Sequence, residues 1–197
     1  MTSTRRIRYT LSAAALGILL SISPVVRAQT HGDPVEFTAF AVNMGSIVRG
    51  STANLIITVN RWSTQAERDS VFTALREKGP EGLFNVLKDL KRVGSLRTAQ
   101  TVGYDLRLAI SDPLPEGGTR VLLATDRPLS FYEATNRPVT YDYPITVIDM
   151  QLKPDGTGEG TMSLAARIIP AGKNIVVENY DTQPIKLNKV ETRKLKK

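Results

Sequence analysis

Hydrophobic and polar residues alternate most clearly in the middle of the chain, over residues 101–110. The apolar positions share one face and polar residues occupy the other, which is typical of a half-buried strand. A loop rich in proline and glycine follows, and residues 121–124 are then apolar on both faces, as in a central strand. The pattern predicts a hairpin of two core strands. The apolar face of its first strand comprises Val102, Tyr104, Leu106, Leu108 and Ile110.

Further stretches with the character of strands lie on both sides of this hairpin, mostly separated by short turns that contain glycine or proline. Short turns join strands that run antiparallel, so the pattern predicts one antiparallel sheet. We predict an α+β fold whose sheet of about eight strands is strongly curved or closes towards a barrel. A two-sheet β-sandwich is the alternative. The further predicted strands are residues 35–43, 52–62, 93–98, 145–153, 161–170, 174–180 and 185–190.

The hydrophobic period changes to that of a helix over residues 64–92. Thr64 and Glu67 have the spacing of a capping box, which predicts that a helix begins at Thr64. A Gly-Pro pair at residues 79–80 separates this helix from a second, for which Gly94 is the predicted C-cap. We therefore predict a two-helix insertion between the second and third strands. It is either a lid that packs on the sheet or a mobile functional flap.

The first 28 residues have the composition of a secretory signal peptide. Three arginines precede an apolar segment, and Val26-Arg27-Ala28 fits signal-peptidase cleavage after residue 28. The apolar segment is interrupted by polar residues and is shorter than the roughly 20 residues that span a bilayer. We predict an exported protein, periplasmic or extracellular, whose mature chain has no transmembrane segment.

Positive charge is concentrated at the two ends of the chain. The formal net charge of +7 includes four arginines within residues 1–28 and a net +5 in the last twelve residues, which leaves −2 for the remainder. Such a nearly neutral body does not fit a nucleic-acid-binding protein. We predict one domain over residues 29–190 and a basic C-terminal tail over residues 191–197. The tail is either a solvated terminus or an anion-binding arm.

The residue counts exclude several kinds of active site. The chain has no cysteine and a single histidine, His31, which lies next to the predicted mature N-terminus. Disulfides, a thiol nucleophile, a histidine-based metal site and a Ser-His-Asp triad are therefore not expected. The glycine-rich loop over residues 155–160 lacks the ligand series of a calcium loop. We predict neither a metal nor another cofactor.

Carboxylates remain as candidates for catalysis. Asp105, Asp126 and Asp142 are possible members of an acid pair that hydrolyses a glycosidic bond. Their spacing in the sequence does not by itself bring any two of them together. The structural alternative is that Asp105 pairs with Arg107 on the polar face of its strand and that Asp126 caps a turn.

Aromatic residues next to arginines are the candidates for ligand binding. An aromatic ring beside a guanidinium group offers stacking surface together with hydrogen-bond donors. The structural alternatives are a wedge in the core, formed by the single tryptophan, and aromatic residues that cover an edge of the sheet. The candidates are Arg61 and Trp62, where the second strand meets the helical segment, and Arg137, Tyr141 and Tyr143, in the irregular segment 129–144.

Several short stretches resemble a family of uncharacterised secreted bacterial proteins. The resemblance covers most of the mature chain, and it implies export and a single domain. It implies no activity, cofactor or site. The stretches are FTAFAVNMG at 37–45, RWST at 61–64 with ERD at 67–69, GYDLR at 103–107, ATDRP at 124–128 and DYP at 142–144.

Two classes of function fit these features. The first is an exported, non-catalytic binding or interaction module, whose partner is a glycan, peptide or protein of the envelope or the extracellular space. The second is a carboxylate-dependent hydrolase that acts on glycans or cell-wall material. The lack of a recognisable catalytic motif favours the first class, and the sequence leaves enzymatic activity open.

Overall fold

The computed structural model describes residues 32–42, 52–99, 101–128, 145–171, 174–179 and 183–195, all within one compact unit, His31–Lys197. These residues form nine strands and one helix. In chain order they are β1 (Val35–Val42), β2 (Thr52–Val59), α1 (Gln65–Asp89), β3 (Gly94–Thr98), β4 (Tyr104–Pro113), β5 (Thr119–Thr125), β6 (Ile145–Leu152), β7 (Thr157–Ala171), β8 (Asn174–Asn179) and β9 (Ile185–Lys194).

Eight of the strands close into an antiparallel barrel. Their order is β1-β2-β3-β4-β5-β6-β7-β9, and β9 pairs with β1 to complete the circle. The long strand β7 pairs with β6 and β9 in its first part and with β8 in its last part, so β8 is an additional strand. The predicted curved antiparallel sheet that closes towards a barrel is confirmed, and each of the nine predicted strand segments corresponds to a strand. The two-sheet sandwich is wrong.

Apolar side chains fill the inside of the barrel. A barrel of eight strands is about wide enough for its interior to be filled by side chains alone. No buried polar side-chain atom in the described residues lacks a hydrogen-bond partner. The interior is therefore the main hydrophobic core. Its largest fully buried members are Phe37, Ile57, Leu96, Leu106, Leu123, Ile148 and Met150.

A second apolar layer lies between α1 and the outer surface of the barrel. In β5, Val121 and Leu123 belong to the interior cluster, whereas Leu122 and Ala124 belong to the cluster under α1. This arrangement is the physical reason why residues 121–124 are apolar on both faces. Burying one leucine or valine side chain contributes about 1.5–3 kcal/mol. The fully buried apolar residues of α1 that pack in this layer are Val71, Leu75, Leu83 and Leu87.

The helix α1 begins with the predicted capping box. The hydroxyl oxygen of Thr64 accepts a hydrogen bond from the backbone N–H of Glu67 at 3.2 Å. In return, the carboxylate of Glu67 accepts one from the backbone N–H of Thr64 at 2.8 Å. Two backbone donors that have no partner within the helix are thereby satisfied, which fixes where the helix starts.

One kinked helical element is present where the sequence predicted two helices. Gly79 has φ 65° and ψ −159°, a conformation that is essentially restricted to glycine, and it kinks α1 just before Pro80. Leu90 is the C-cap, so the predicted cap at Gly94 is wrong. Gly94 instead begins β3, where a side chain would clash with the backbone of Thr58 in β2. No helix in the described part of the chain has both the length and the apolarity to cross a bilayer.

A β-bulge interrupts the alternation of β4. The register with β5 shifts between Leu106 and Leu108, at Arg107. Leu106 therefore faces the barrel interior, whereas Leu108 and Ile110 face α1. The prediction that the apolar residues of this strand share a single face is wrong, and Val102, which lies before β4 begins, is fully exposed.

Several strand ends also differ from the prediction. β2 ends at Val59 rather than at residue 62, and β7 begins at Thr157 rather than at residue 161. β9 continues to Lys194, which pairs with Val35 of β1. The sheet thus includes four residues of the segment predicted to be a basic tail.

Candidate functional site

Part of the predicted site lies outside the described residues. This applies to one carboxylate candidate, Asp142, and to the binding candidates Arg137, Tyr141 and Tyr143. It applies also to the predicted signal peptide over residues 1–28. The roles proposed for these four residues and for the signal peptide stay predictions.

Arg61 is bonded to other residues of the fold. Its two terminal nitrogens donate to the two carboxylate oxygens of Glu67, each at 2.9 Å, and one also donates to the carbonyl oxygen of Lys91 at 3.1 Å. The hydrogen bonds from Arg61 lower the pKa of Glu67, assisted by the backbone N–H of Thr64 and opposed by desolvation. Arg61 therefore connects the first turn of α1 with the chain just beyond its end. Its guanidinium group is already occupied.

Trp62 is a wedge against the barrel core. Its ring is half-buried and packs on the interior cluster, and its Nε1 donates to the carbonyl oxygen of Asp33 at 3.4 Å. The next residue, Ser63, exchanges two hydrogen bonds with Ala109, at 2.9 and 3.0 Å. This geometry corresponds to the structural alternative for Trp62.

Asp105 and Asp126 lie on either side of Arg107. The Nε of Arg107 is 2.8 Å from Asp126, and one of its terminal nitrogens is 3.8 Å from Asp105. Arg92 is 3.1 Å from the other oxygen of Asp105, and Arg107 also donates to the carbonyl oxygen of Leu90 at 3.2 Å. The fold thus brings two predicted carboxylates together. It does so in an ion-pair cluster that attaches the end of α1 to β4.

A different set of side chains lies on the outer face of the barrel without internal partners. The strand register places five residues side by side across five neighbouring strands, and we call them the cross-strand row. Side chains directly opposite each other on one face have Cβ atoms about 4.5–5.5 Å apart. Within the described part of the chain, no hydrogen bond or ion pair engages its four polar side chains. The row is Asn54 (β2), Phe40 (β1), Asn188 (β9), Glu159 (β7) and Gln151 (β6).

A β-bulge in β9 shapes the middle of this row. Leu187 and Val190 both belong to the interior cluster although they are three residues apart. Asn188 and Lys189 therefore both lie on the outer side, opposite Glu159. Lys189 has φ 49°, in the left-handed region that few residues other than glycine adopt. Bulges redirect side chains and are frequent at barrel rims and next to functional sites.

Two adjoining grooves run along the β6, β7 and β9 part of the row. The smaller, about 370 Å³, includes Asn188, Thr161 and Asp149 in its lining. The larger, about 660 Å³, extends to the β4–β5 and β6–β7 turns. Gln151 and Glu159 line both grooves. The polar row is thus accompanied by shallow concave surface along β6, β7 and β9.

The charges around the grooves are balanced. Asp149 is neutralised by Arg120, which donates to its two carboxylate oxygens at 3.0 and 2.6 Å, and this hydrogen bonding raises the pKa of Arg120. No cluster of three or more histidine or acidic side chains able to hold a metal occurs among the described residues. The grooves therefore suit a ligand of low net charge. The other charged lining residues are Lys153, Lys186, Lys189, Glu116, Glu159 and Glu191.

None of the residues in the cross-strand row was a candidate from the sequence. The one signal for them is the spacing of Leu187 and Val190, which departs from strict alternation and points to the bulge. Their alignment follows only from the strand register, which includes the pairing of β1 with β9, two strands that lie far apart in the chain. No protein family, curated protein or solved structure matches this chain, so the site rests on its own geometry.

Proposed function

We propose that the protein is an exported, non-catalytic binding module that holds its ligand against the outer face of the barrel, along the cross-strand row. The observation that carries this proposal is a contrast in hydrogen bonding. Arg61, Asp105 and Asp126 are engaged in ion pairs within the fold. The polar side chains of the cross-strand row have no such partners in the described residues and are free to bind a ligand.

The filled interior of the barrel favours a ligand-binding site on its outer surface. It is filled by apolar side chains such as Phe37 and Leu123, each at most 1 % exposed. A ligand therefore has its place on the outer surface, where the grooves combine polar groups with concave shape. The prediction of export rests on the N-terminal sequence, and it points to an envelope or extracellular partner.

The alternative, a carboxylate-dependent hydrolase, draws support from the proximity of Asp105 and Asp126. A glycosidase, however, needs open space between its two carboxyl groups for the sugar and, in inverting enzymes, for a water molecule. The guanidinium group of Arg107 bonds to Asp126 and also contacts Asp105. It fills the space in which the reacting atoms would have to lie, so the binding module is the better supported function.

Export is tested by cell fractionation. The mature protein, with Gln29 at its N-terminus, should appear in the periplasm or the medium. The physical reason is that the apolar segment of residues 1–28 is a signal that is removed on secretion. An intact form beginning at Met1 and confined to the cytoplasm would contradict this part of the proposal.

Binding is tested by hydrogen exchange of the mature protein with and without an extract of bacterial envelope. We expect slower exchange in residues 149–161 and 185–191, and loss of this protection when Gln151 and Asn188 are both replaced by alanine. A matched control replaces two exposed asparagines outside the row, Asn60 and Asn85. The control should behave as the wild type, and both variants should keep its melting temperature.

Two results would contradict the binding proposal. One is that the extract protects no segment of the protein. The other is that the protection persists unchanged when Gln151 and Asn188 are alanine.

A further inference from the structure

We propose that the ligand is a neutral glycan chain that crosses the strands along the cross-strand row, with one sugar ring stacked on Phe40. This inference rests on the proposed function and adds the chemical class of its ligand. It starts from an exposed ring. Phe40 lies on the outer face of β1 and is 40 % exposed, while the neighbouring Phe37, Ala39 and Ala41 are buried.

The immediate neighbours of Phe40 are amides. Phe40 pairs with Asn54 of β2 on one side and with Asn188 of β9 on the other. A sugar ring has one apolar C–H face and a rim of hydroxyl groups. The face suits an aromatic ring, and an asparagine side chain offers both donors and an acceptor to the rim. An aromatic ring between two amides therefore has the chemistry of a sugar subsite.

The row has the extent of a short oligosaccharide. It crosses four gaps between neighbouring strands, from Asn54 to Gln151, and at a spacing of about 4.8 Å these gaps cover roughly 19 Å along the curved outer surface of the barrel. Glu159 and Gln151 continue the line of hydrogen-bonding groups into the two grooves. A chain of several sugar rings that follows this curve would thus contact the ring, the amides and the carboxylate in sequence.

The strand pairing disfavours a peptide as the ligand. Extended peptides commonly bind by adding a strand to a free sheet edge, where backbone groups are unpaired. Each strand that carries the row is paired on both sides at or near the row; for example, β1 lies between β2 and β9. The row therefore offers side chains rather than backbone groups, and it runs across the strands instead of along them.

The charge of the grooves indicates a neutral glycan. The groove lining contains three lysines and three glutamates besides the paired Asp149. A polyanion such as a nucleic acid is bound by an excess of basic groups. The balanced lining gives no such excess, so hydroxyl or acetamido groups are the features that remain for recognition.

The test measures binding of two oligosaccharides to the mature protein by calorimetry. One is chitohexaose, whose rings carry acetamido groups, and the other is cellohexaose, whose rings carry only hydroxyls. We expect saturable binding of at least one. If chitohexaose alone binds, the ligand is an N-acetylated glycan of the cell-wall type. If cellohexaose binds equally well, the hydroxyl groups of the sugar rings are sufficient for recognition and the acetamido groups are not required.

Variants at Phe40 separate stacking from general apolar contact. Phe40→Ala and Phe40→Leu should each weaken binding about tenfold, since both remove the aromatic face. Phe40→Tyr should retain the affinity of the wild type. Val102→Ala is the matched control, because Val102 is an exposed apolar residue outside the row.

The glycan inference and the proposed function can fail separately. The inference is overturned if neither hexasaccharide binds, or if Phe40→Ala binds as tightly as the wild type. The inference can fail while the envelope extract still protects residues 149–161 from exchange. That result would support the binding module and would show that its ligand belongs to another class. When the extract also protects nothing, both are refuted.

Discussion

Replacing Arg61 by alanine should destabilise the protein by about 1–2 kcal/mol. The substitution removes a bidentate pair with Glu67, whose two bonds are each 2.9 Å, and a weaker bond to Lys91. Hydrogen bonds to charged groups contribute about 1.5–3 kcal/mol and exposed ion pairs about 0.2–1 kcal/mol. This pair lies between those limits, because the two side chains are 32 % and 20 % exposed. Glu67→Ala should cost about 2 kcal/mol, since it also removes the capping bond to Thr64.

Urea unfolding of the wild type, the two single variants and the double variant measures how strongly the residues are coupled. We expect a coupling energy of about 1 kcal/mol between Arg61 and Glu67. Arg76→Ala is the matched control, because Arg76 is an exposed arginine on the same helix and should change stability by less than about 0.5 kcal/mol. If the effects of Arg61→Ala and Glu67→Ala simply add, the interpretation of Arg61 as a structural residue is refuted.

The coupling should also depend on pH with a defined sign. The pKa of Glu67 is lowered in the folded protein from its ordinary value of 4.5, so the unfolded chain takes up the proton first. The stabilisation is therefore fully present above about pH 4.5 and is lost as the pH falls through the lower, folded pKa. Repeating the double-mutant cycle at decreasing pH tests this. A coupling energy that increases on acidification would show that charge on Glu67 is not its source.

Four further substitutions test the fold. Leu123→Asp should abolish cooperative thermal unfolding, because it places an unpaired charge at a position with no exposure; a normal melting curve would mean that β5 is not central. Gly79→Ala should cost about 1–3 kcal/mol in urea unfolding, since φ 65° with ψ −159° is strained for a residue with a Cβ, and an unchanged midpoint would argue against the kink. Arg107→Ala should lower the melting temperature more than Arg92→Ala, because Arg107 is the less exposed arginine and makes more contacts; equal melting temperatures would contradict that ranking.

The central hairpin illustrates what local pattern can predict. The apolar run at residues 121–124 predicted a strand buried on both faces, and β5 indeed separates the barrel interior from the layer under α1. The neighbouring strand was predicted less well. Its alternation is regular in the sequence, and the bulge at Arg107 moves half of it to the other face. A bulge depends on the pairing with the partner strand, which the alternation of one strand does not contain.

The candidate residues also show that local sequence does not reveal the partners of a side chain. Arg61, Trp62, Asp105 and Asp126 were selected because their residue types can bind or catalyse. In the structure, their polar groups are bonded to other residues of the fold. Arg61 pairs with Glu67, and Trp62 donates to the carbonyl oxygen of Asp33. Asp105 pairs with Arg92, and Asp126 pairs with Arg107. The cross-strand row was missed because its members belong to five strands, and the strand register that aligns them is not contained in the pattern of any single strand.

The sequence by itself determined the features that depend on composition and on a few neighbouring residues. These are the absence of cysteine chemistry, the capping box at Thr64, the antiparallel strands with short turns and the doubly buried strand β5. Only the tertiary structure decided that the sheet closes, where the bulges lie, and which polar side chains are left without partners. Closure and register depend on contacts between residues far apart in the chain, such as Val35 with Lys194. Their energies come from packing and pairing that no local pattern specifies.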